Sequence, residues 1–313
     1  MQHRPLGRSG LSIAPLMLGG NVFGWTADEA TSHAILDAFV DGGFNAIDTA
    51  DVYSGWVPGH AGGESETVLG TWLKARGRRD DVIIATKVGM WPAQPGLSAA
   101  NIIAACEGSL KRLRTDYIDL YQSHRDDADT PQEETAEAFG RLVKAGKVRA
   151  IGASNFDAAR LASALKVSAD QGLPRYDTLQ PPYNLMDRSI EGPLQQLCVD
   201  QTVAIISYYG LASGFLTGKY RSAADLGKSP RGRGAKAHLE SERGPKVLAA
   251  LDAVSAELGA TPAQVALAWV MARPAVAAPI ASATSLTQLK ELMGAARLTL
   301  DAGQMSRLDA ASA

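Results

Sequence analysis

Four titratable side chains stand at or just beyond the ends of short apolar runs: Asp48 and Tyr53 in FNAIDTADVY, Lys87 closing VIIATK, and His124 closing YIDLYQSH. A tyrosine has a pKa of about 10 and donates poorly near neutrality, so its use as a general acid calls for a neighbour that stabilises the phenolate. A lysine does that. Bringing the phenol toward pH 7 takes roughly three pKa units, or about 4 kcal/mol, which a close, partly buried ammonium can largely supply. The lysine in turn needs a counter-charge, and Asp48 is the available carboxylate. His124 can donate a hydrogen bond to a carbonyl oxygen and steady the charge that develops there. Such a set protonates an alkoxide but supplies no hydride, so a nicotinamide cofactor is implied.

These groups can act together only on a scaffold that delivers strand ends to one place. Short apolar runs read as strands at residues 16–19, 45–48, 82–86, 118–122, 148–152, 178–180, 203–207 and 276–280. Helix-period segments alternate with them at 27–42, 64–75, 99–113, 131–145, 157–171, 190–198, 245–258 with 262–271, and 286–296. Eight strand–helix units in 313 residues predict an α/β fold, a (β/α)8 TIM barrel whose site lies at the carboxyl ends of its strands. Residues 4–14, with Gly7 and Gly10 near a turn, predict a β-hairpin closing the bottom of the barrel. Thr130 reads as a cap before Pro131 at the first helical position, Ser98 and Ser285 as N-caps, and Gly146 and Gly172 as left-handed C-terminal residues. The loops at 54–63, 89–97, 125–129 and 212–244 are long and follow strands, as binding surfaces do. Within the last, 219–244 reads as a mobile excursion, and with no linker in sight residues 1–313 are expected to form a single domain.

Composition narrows the classes. The chain is 46% hydrophobic and 20% charged with a formal net charge of -2, ordinary for a soluble enzyme and no reason to expect nucleic acid or an anionic membrane as partner. The basic cluster around Lys228 to Lys236 reads as a solvated loop. Cys106 and Cys198 fall in apolar helical segments and read as core thiols of a reducing compartment. No signal-peptide run opens the sequence and no stretch approaches the roughly 20 apolar residues of a membrane span, so a cytoplasmic location is expected. The histidines lack metal-ligand spacing, and no metal is expected. Gly19-Gly20…Gly24 and Gly214…Gly218-Lys219 have the wrong intervals for a dinucleotide-fold motif and a P-loop. Trp25, Trp56 and Trp91 each follow one of the first three strands and are expected to wall an apolar substrate pocket, whereas Trp72 and Trp269 read as core.

From RPLGRSGLSIAPLMLGGNVFG to PIASATSLTQLKEL the sequence resembles the aldo-keto reductase superfamily, with IDTADVY, ATKVG and LYQSH in order and at family-like intervals. The resemblance implies reduction of an aldehyde or ketone by NADPH, with NADH not excluded. In it Tyr53 is the proton donor, Asp48 and Lys87 tune it, and His124 orients the carbonyl. It further implies that Ser154, Asn155 and Gln180 bind the nicotinamide carboxamide and that Tyr208 stacks on the ring. Leu211, Ser213, Leu216 and Lys219 would then contact the pyrophosphate, and Ser282, Thr284, Gln288 and Glu291 the adenosine end. Two departures stand out: Tyr209-Gly210 replaces a frequent Ser-Pro, and Ser282 and Gln288 stand where many relatives place a cation against the 2′-phosphate. The expected partner is a small-molecule carbonyl compound. The resemblance also reaches potassium-channel β subunits, so an NADP(H)-binding sensor is the alternative; those regulators carry an added N-terminal segment, whereas this sequence opens at the hairpin.

Overall fold

In the computed structural model, which describes residues 1–229 and 231–313, strands and helices alternate around a closed parallel barrel. A two-stranded hairpin, β1 (Arg4–Pro5) and β2 (Ser12–Ile13), precedes it. The barrel strands are β3 (Met17–Gly19), β4 (Ala46–Asp48), β5 (Ile83–Val88), β6 (Ile118–Ser123), β7 (Val148–Ser154), β8 (Tyr176–Gln180), β9 (Ala204–Ser207) and β10 (Val276–Ala281). Each pairs with the next, and β10 closes the ring on β3 through Ile280↔Met17. The (β/α)8 barrel is therefore the fold.

Period-two alternation then decides which side chains reach the barrel axis. Met17, Ala46, Ile83, Ala85, Leu120, Ala150, Ile206 and Ile280 share one inner apolar cluster, while Leu18, Ile47, Ile84 and Tyr121 belong to the larger layer under the helices. Stepping two residues toward the carboxyl end from the inner set reaches Gly19, Asp48, Lys87, Gln122, Gly152, Tyr208 and Ser282; His124 and Ser154 lie two further on. The polar end of the barrel is thus the continuation of its apolar interior. At the opposite end Leu6, Leu11 and Ile13 of the hairpin join the inner cluster, each burial contributing roughly 1.5–3 kcal/mol. Gly7 is required there: at φ +59 a Cβ would lie 2.3 Å from the Asp177 carbonyl oxygen at the foot of β8.

The helices are α1 (Glu29–Asp41), α2 (Glu64–Arg76), α3 (Ala99–Leu113), α4 (Gln132–Lys144), α5 (Ala158–Gln171), α6 (Pro193–Gln201), α7 (Gly232–Leu239), α8 (Arg243–Leu258), α9 (Pro262–Met271), α10 (Leu286–Ala295) and α11 (Ala302–Ala311). Ser98 and Ser285 cap α3 and α10 through the amides of Asn101 and Gln288, and Gly172 ends α5 at φ +65. Thr130 does not cap α4. Its hydroxyl donates to Asp127, and Pro131 takes the cap position one residue later than expected. The 219–244 stretch, expected as an irregular excursion, carries a 3-10 turn at Ala223–Lys228 and then α7; Pro230 within it lies outside the described residues. The terminal α11 was not expected; it begins with a capping box between Asp301 and Gln304 and packs on α8. Trp72 and Trp269 are core residues, Cys106 and Cys198 are buried free thiols, and among the described residues no helix is long and apolar enough to cross a membrane.

Candidate active site

Lys87 is fully buried, and its three ammonium protons go to Asp48 at 2.8 Å, the Thr49 carbonyl at 2.8 Å and the Tyr53 hydroxyl at 2.9 Å. Tyr53 in turn donates to Asp48 Oδ2 at 3.1 Å, while Gln180 Nε2 donates to Oδ1 at 2.8 Å. Strand register builds this contact: β4 and β5 are neighbours, and the turn after Asp48 folds Tyr53 back over both strand ends. His124 follows β6, its ring centroid 5.9 Å from that of Tyr53. Its Nδ1 is enclosed with no partner among the described residues, which leaves Nε2 as the nitrogen turned to the cavity.

Burial governs the protonation states. It pushes the Tyr53 phenol well above its ordinary value, and the Asp48 charge pushes in the same direction. The downward tuning expected from Lys87 does not prevail in the free protein, because desolvation and the Asp48 carboxylate, to which the phenol donates, outweigh the ammonium. Tyr53 stands protonated, the form a proton donor needs. Burial also pulls Lys87 below its ordinary value, with Asp48 pulling back. Burial first, then the charges of Lys87 and Arg125, hold His124 well below the usual histidine range, so it is a neutral imidazole. Asp51, with no exposure and both carboxyl oxygens unpartnered among the described residues, is raised to about 7 by burial and by Glu66.

A cavity of about 680 Å³ opens over Asp48, Tyr53 and His124. Around it come Ser154, Asn155, Gln180 and Tyr208 from the ends of three successive strands, tied to one another: Tyr208 donates to Asn155 at 2.7 Å, and Asn155 donates to the His124 carbonyl at 2.9 Å. Leu211, Ser213, Lys219, Ser282, Thr284, Gln288 and Glu291 line it as well. Leu216 does not. It belongs to the 3-10 turn Ala212–Thr217 and is fully buried in the core, and Gly214 and Thr217 of the same turn take its place at the wall. Trp25 and Trp56 stand at the mouth, edge to face at 5.7 Å. Trp91, expected beside them, is elsewhere: the chain turns at Gly89 (φ +107), Met90 faces the cavity, and the Trp91 indole donates to the Ala61 carbonyl under the Arg112 guanidinium.

Residues 228–236, expected as a solvated loop, also bring Arg231 to the cavity wall. Burial pulls its guanidinium below the ordinary value, and its Nη2 is enclosed with no partner among the described residues. A desolvated, unpaired cation favours an anion at this wall. The sequence signal was an arginine in a long loop after a strand end, and only the path of that loop distinguishes it from Arg233 beside it. With Lys219 it gives the cavity two cations, together with an aromatic face and a row of hydroxyls and amides, a donor set that fits a dinucleotide phosphate cofactor.

Comparison with known proteins agrees with this architecture. The family model described as the aldo/keto reductase family matches residues 15–313. The chain is 36% identical to the "Uncharacterized oxidoreductase YrpG" of Bacillus subtilis, over 96% of this chain and 93% of the relative. It is 34% identical to "Protein tas" of Escherichia coli, over 99% and 97%, and 35% identical to a rice "Probable voltage-gated potassium channel subunit beta", over 94% and 91%. A match of that extent, on a barrel of this closure, places the chain in the aldo/keto reductase family.

Proposed function

We propose that this oxidoreductase reduces the carbonyl group of an aldehyde or ketone with NADPH, Tyr53 supplying the proton. The observation that carries the reading is the Tyr53 hydroxyl, protonated and held between Lys87 and Asp48 at the floor of the cavity. Ser154, Asn155 and Gln180 would hold the carboxamide and Tyr208 one face of the ring. Leu211, Ser213, Lys219 and Arg231 would meet the phosphates, and Ser282, Thr284, Gln288 and Glu291 the adenosine end. Bound there, the cofactor supplies the hydride, the one reagent these side chains lack.

The side chains do the rest. Neutral His124 donates its N–H to the carbonyl oxygen and fixes its direction, so charge growing on that oxygen meets a donor already in place. Tyr53 passes its proton to the same oxygen. The phenolate left behind sits 2.9 Å from the Lys87 ammonium, and Asp48 keeps that ammonium charged. Lys87 thus acts on the phenolate as it forms, after a resting state in which the phenol keeps its proton. Two buried free thiols fit a reducing compartment, and the cytoplasm is the proposed location.

The test is a titration with NADPH and with NADH followed by tryptophan quenching, then carbonyl turnover by the native protein and Tyr53→Phe. Tight NADPH binding by both, with turnover only by the native protein, supports the reading; comparable turnover by Tyr53→Phe sinks it. The similarity to a protein named as a channel β subunit favours one alternative, a nucleotide sensor. A carbonyl panel that leaves bound NADPH unoxidised, with a partner co-purifying, would select it.

A further inference from the structure

Tyr209 has a backbone that a bulky residue rarely adopts, φ +58. The conformation is held from below: the Tyr209 carbonyl accepts from Asn184 Nδ2 at 3.0 Å and from the Ala212 amide at 2.7 Å. Asn184 is itself buried, its Oδ1 taking the amides of Met186 and Asp187. A strained residue persists only where its surroundings hold it, and such residues cluster at sites of function. The strain here does not bury the ring. Tyr209 is 55% exposed, lines the cavity, and meets the Tyr208 ring edge to face at 4.9 Å. Trp56, 49% exposed, is 6.0 Å from Tyr53 and edge to face with Trp25. Beside Tyr53 and Tyr208, the rings of Trp25, Trp56 and Tyr209 therefore line the cavity that holds the reacting hydroxyl, and Trp56 and Tyr209 leave about half their surface to solvent. Such a surface is stabilised when a flat aromatic face covers it.

We propose that Tyr209 is a specificity-determining residue: with Trp25 and Trp56 it selects planar aryl carbonyl compounds over saturated ones of equal size. This rests on the carbonyl-reductase reading and names its substrate class. The ring is placed by the backbone strain, so an aryl group meets a wall whose ordering cost is already met.

The test compares acetophenone with cyclohexyl methyl ketone, which share a carbon skeleton and differ in flatness, by calorimetric titration of the NADP⁺-loaded full-length protein. The native protein is expected to bind acetophenone about tenfold more tightly. Tyr209→Ala should bring the ratio within about twofold while NADPH affinity stays within about threefold; Tyr209→Phe should keep the preference. A native protein that does not distinguish the ketones, or a preference that survives in Tyr209→Ala, overturns the proposal. So does a tenfold loss of NADPH affinity in that variant, which would make Tyr209 a cofactor contact. Failure of the reductase reading reads out separately, as an intact binding preference with no NADPH oxidation by either ketone.

Discussion

Replacing Lys87 by Met removes the charge but nearly keeps the volume, and the structure says what is left behind. Asp48, 1% exposed, loses its ammonium and among the described residues keeps Gln180 Nε2 at 2.8 Å and the Tyr53 hydroxyl at 3.1 Å. Breaking a buried pair by removing one partner costs about 3–5 kcal/mol, and the two surviving donors put this site at about 3 kcal/mol. At about 2 °C per kcal/mol for a chain of this size, Tm should fall by roughly 6 °C. Asp48→Asn/Lys87→Met removes the orphaned charge as well and should recover at least half of that loss. Activity should not return, because the phenolate left by proton donation has no cation; a loss of about 10²–10⁴-fold is expected in both variants. Differential scanning calorimetry and single-turnover carbonyl reduction measure the two effects independently. A double variant no more stable than Lys87→Met, or Lys87→Met with native turnover, would refute the reasoning.

Arg231→Gln should weaken NADPH binding about 10–100-fold, the worth of one charge-assisted contact. Equal loss for NADH would place the guanidinium at the pyrophosphate, selective loss for NADPH at the 2′-phosphate, and no loss for either would remove Arg231 from the site. His124 has a folded pKa held well below its unfolded value of about 6.5, so its contribution to stability is full above pH 6.5 and is lost as pH falls below that. Urea midpoints should decline more steeply below pH 6.5 in the native protein than in His124→Asn, and kcat/KM for reduction should show no break at 6.5. Asp51 is the opposite case: its folded value of about 7 lies above the unfolded 3.8, so stability is present below pH 3.8 and is lost as pH rises to 7. Asp51→Asn should therefore match the native protein near pH 4 and exceed it by roughly 2–4 kcal/mol at pH 8, measured by denaturant titration.

Much of the scaffold was legible in the residues because a barrel strand is buried on both faces and announces itself as an apolar run. The strands read at 82–86 and 118–122 lie at Ile83–Val88 and Ile118–Ser123, and Ala46-Ile47-Asp48 alternates as an inner strand must. Because polar residues continue the inner face past the last apolar one, Asp48, Lys87, His124 and Ser154 could be singled out from one dimension; Asp48, His124 and Ser154 line one cavity, and Lys87 is bonded to Asp48 beneath it. Tertiary structure alone decided what each loop did with its side chains. Trp91 and Met90 are adjacent and equally plausible as walls, and a left-handed glycine turns one inward and the other away. Leu216 is buried by a 3-10 turn that a glycine-rich sequence did not announce, and Arg231 is desolvated while its basic neighbours Lys228 and Lys236 pair at the surface. The direction of the Tyr53 shift was equally out of reach, since it depends on burial and on Asp48 standing at 3.1 Å from the hydroxyl, almost as near as Lys87 at 2.9 Å. What the chain determines by itself is the local pattern: periodicity, strand ends and the residue types placed there. Distances, desolvation and the paths of loops arise from contacts between segments far apart in sequence, and only the folded barrel decides them.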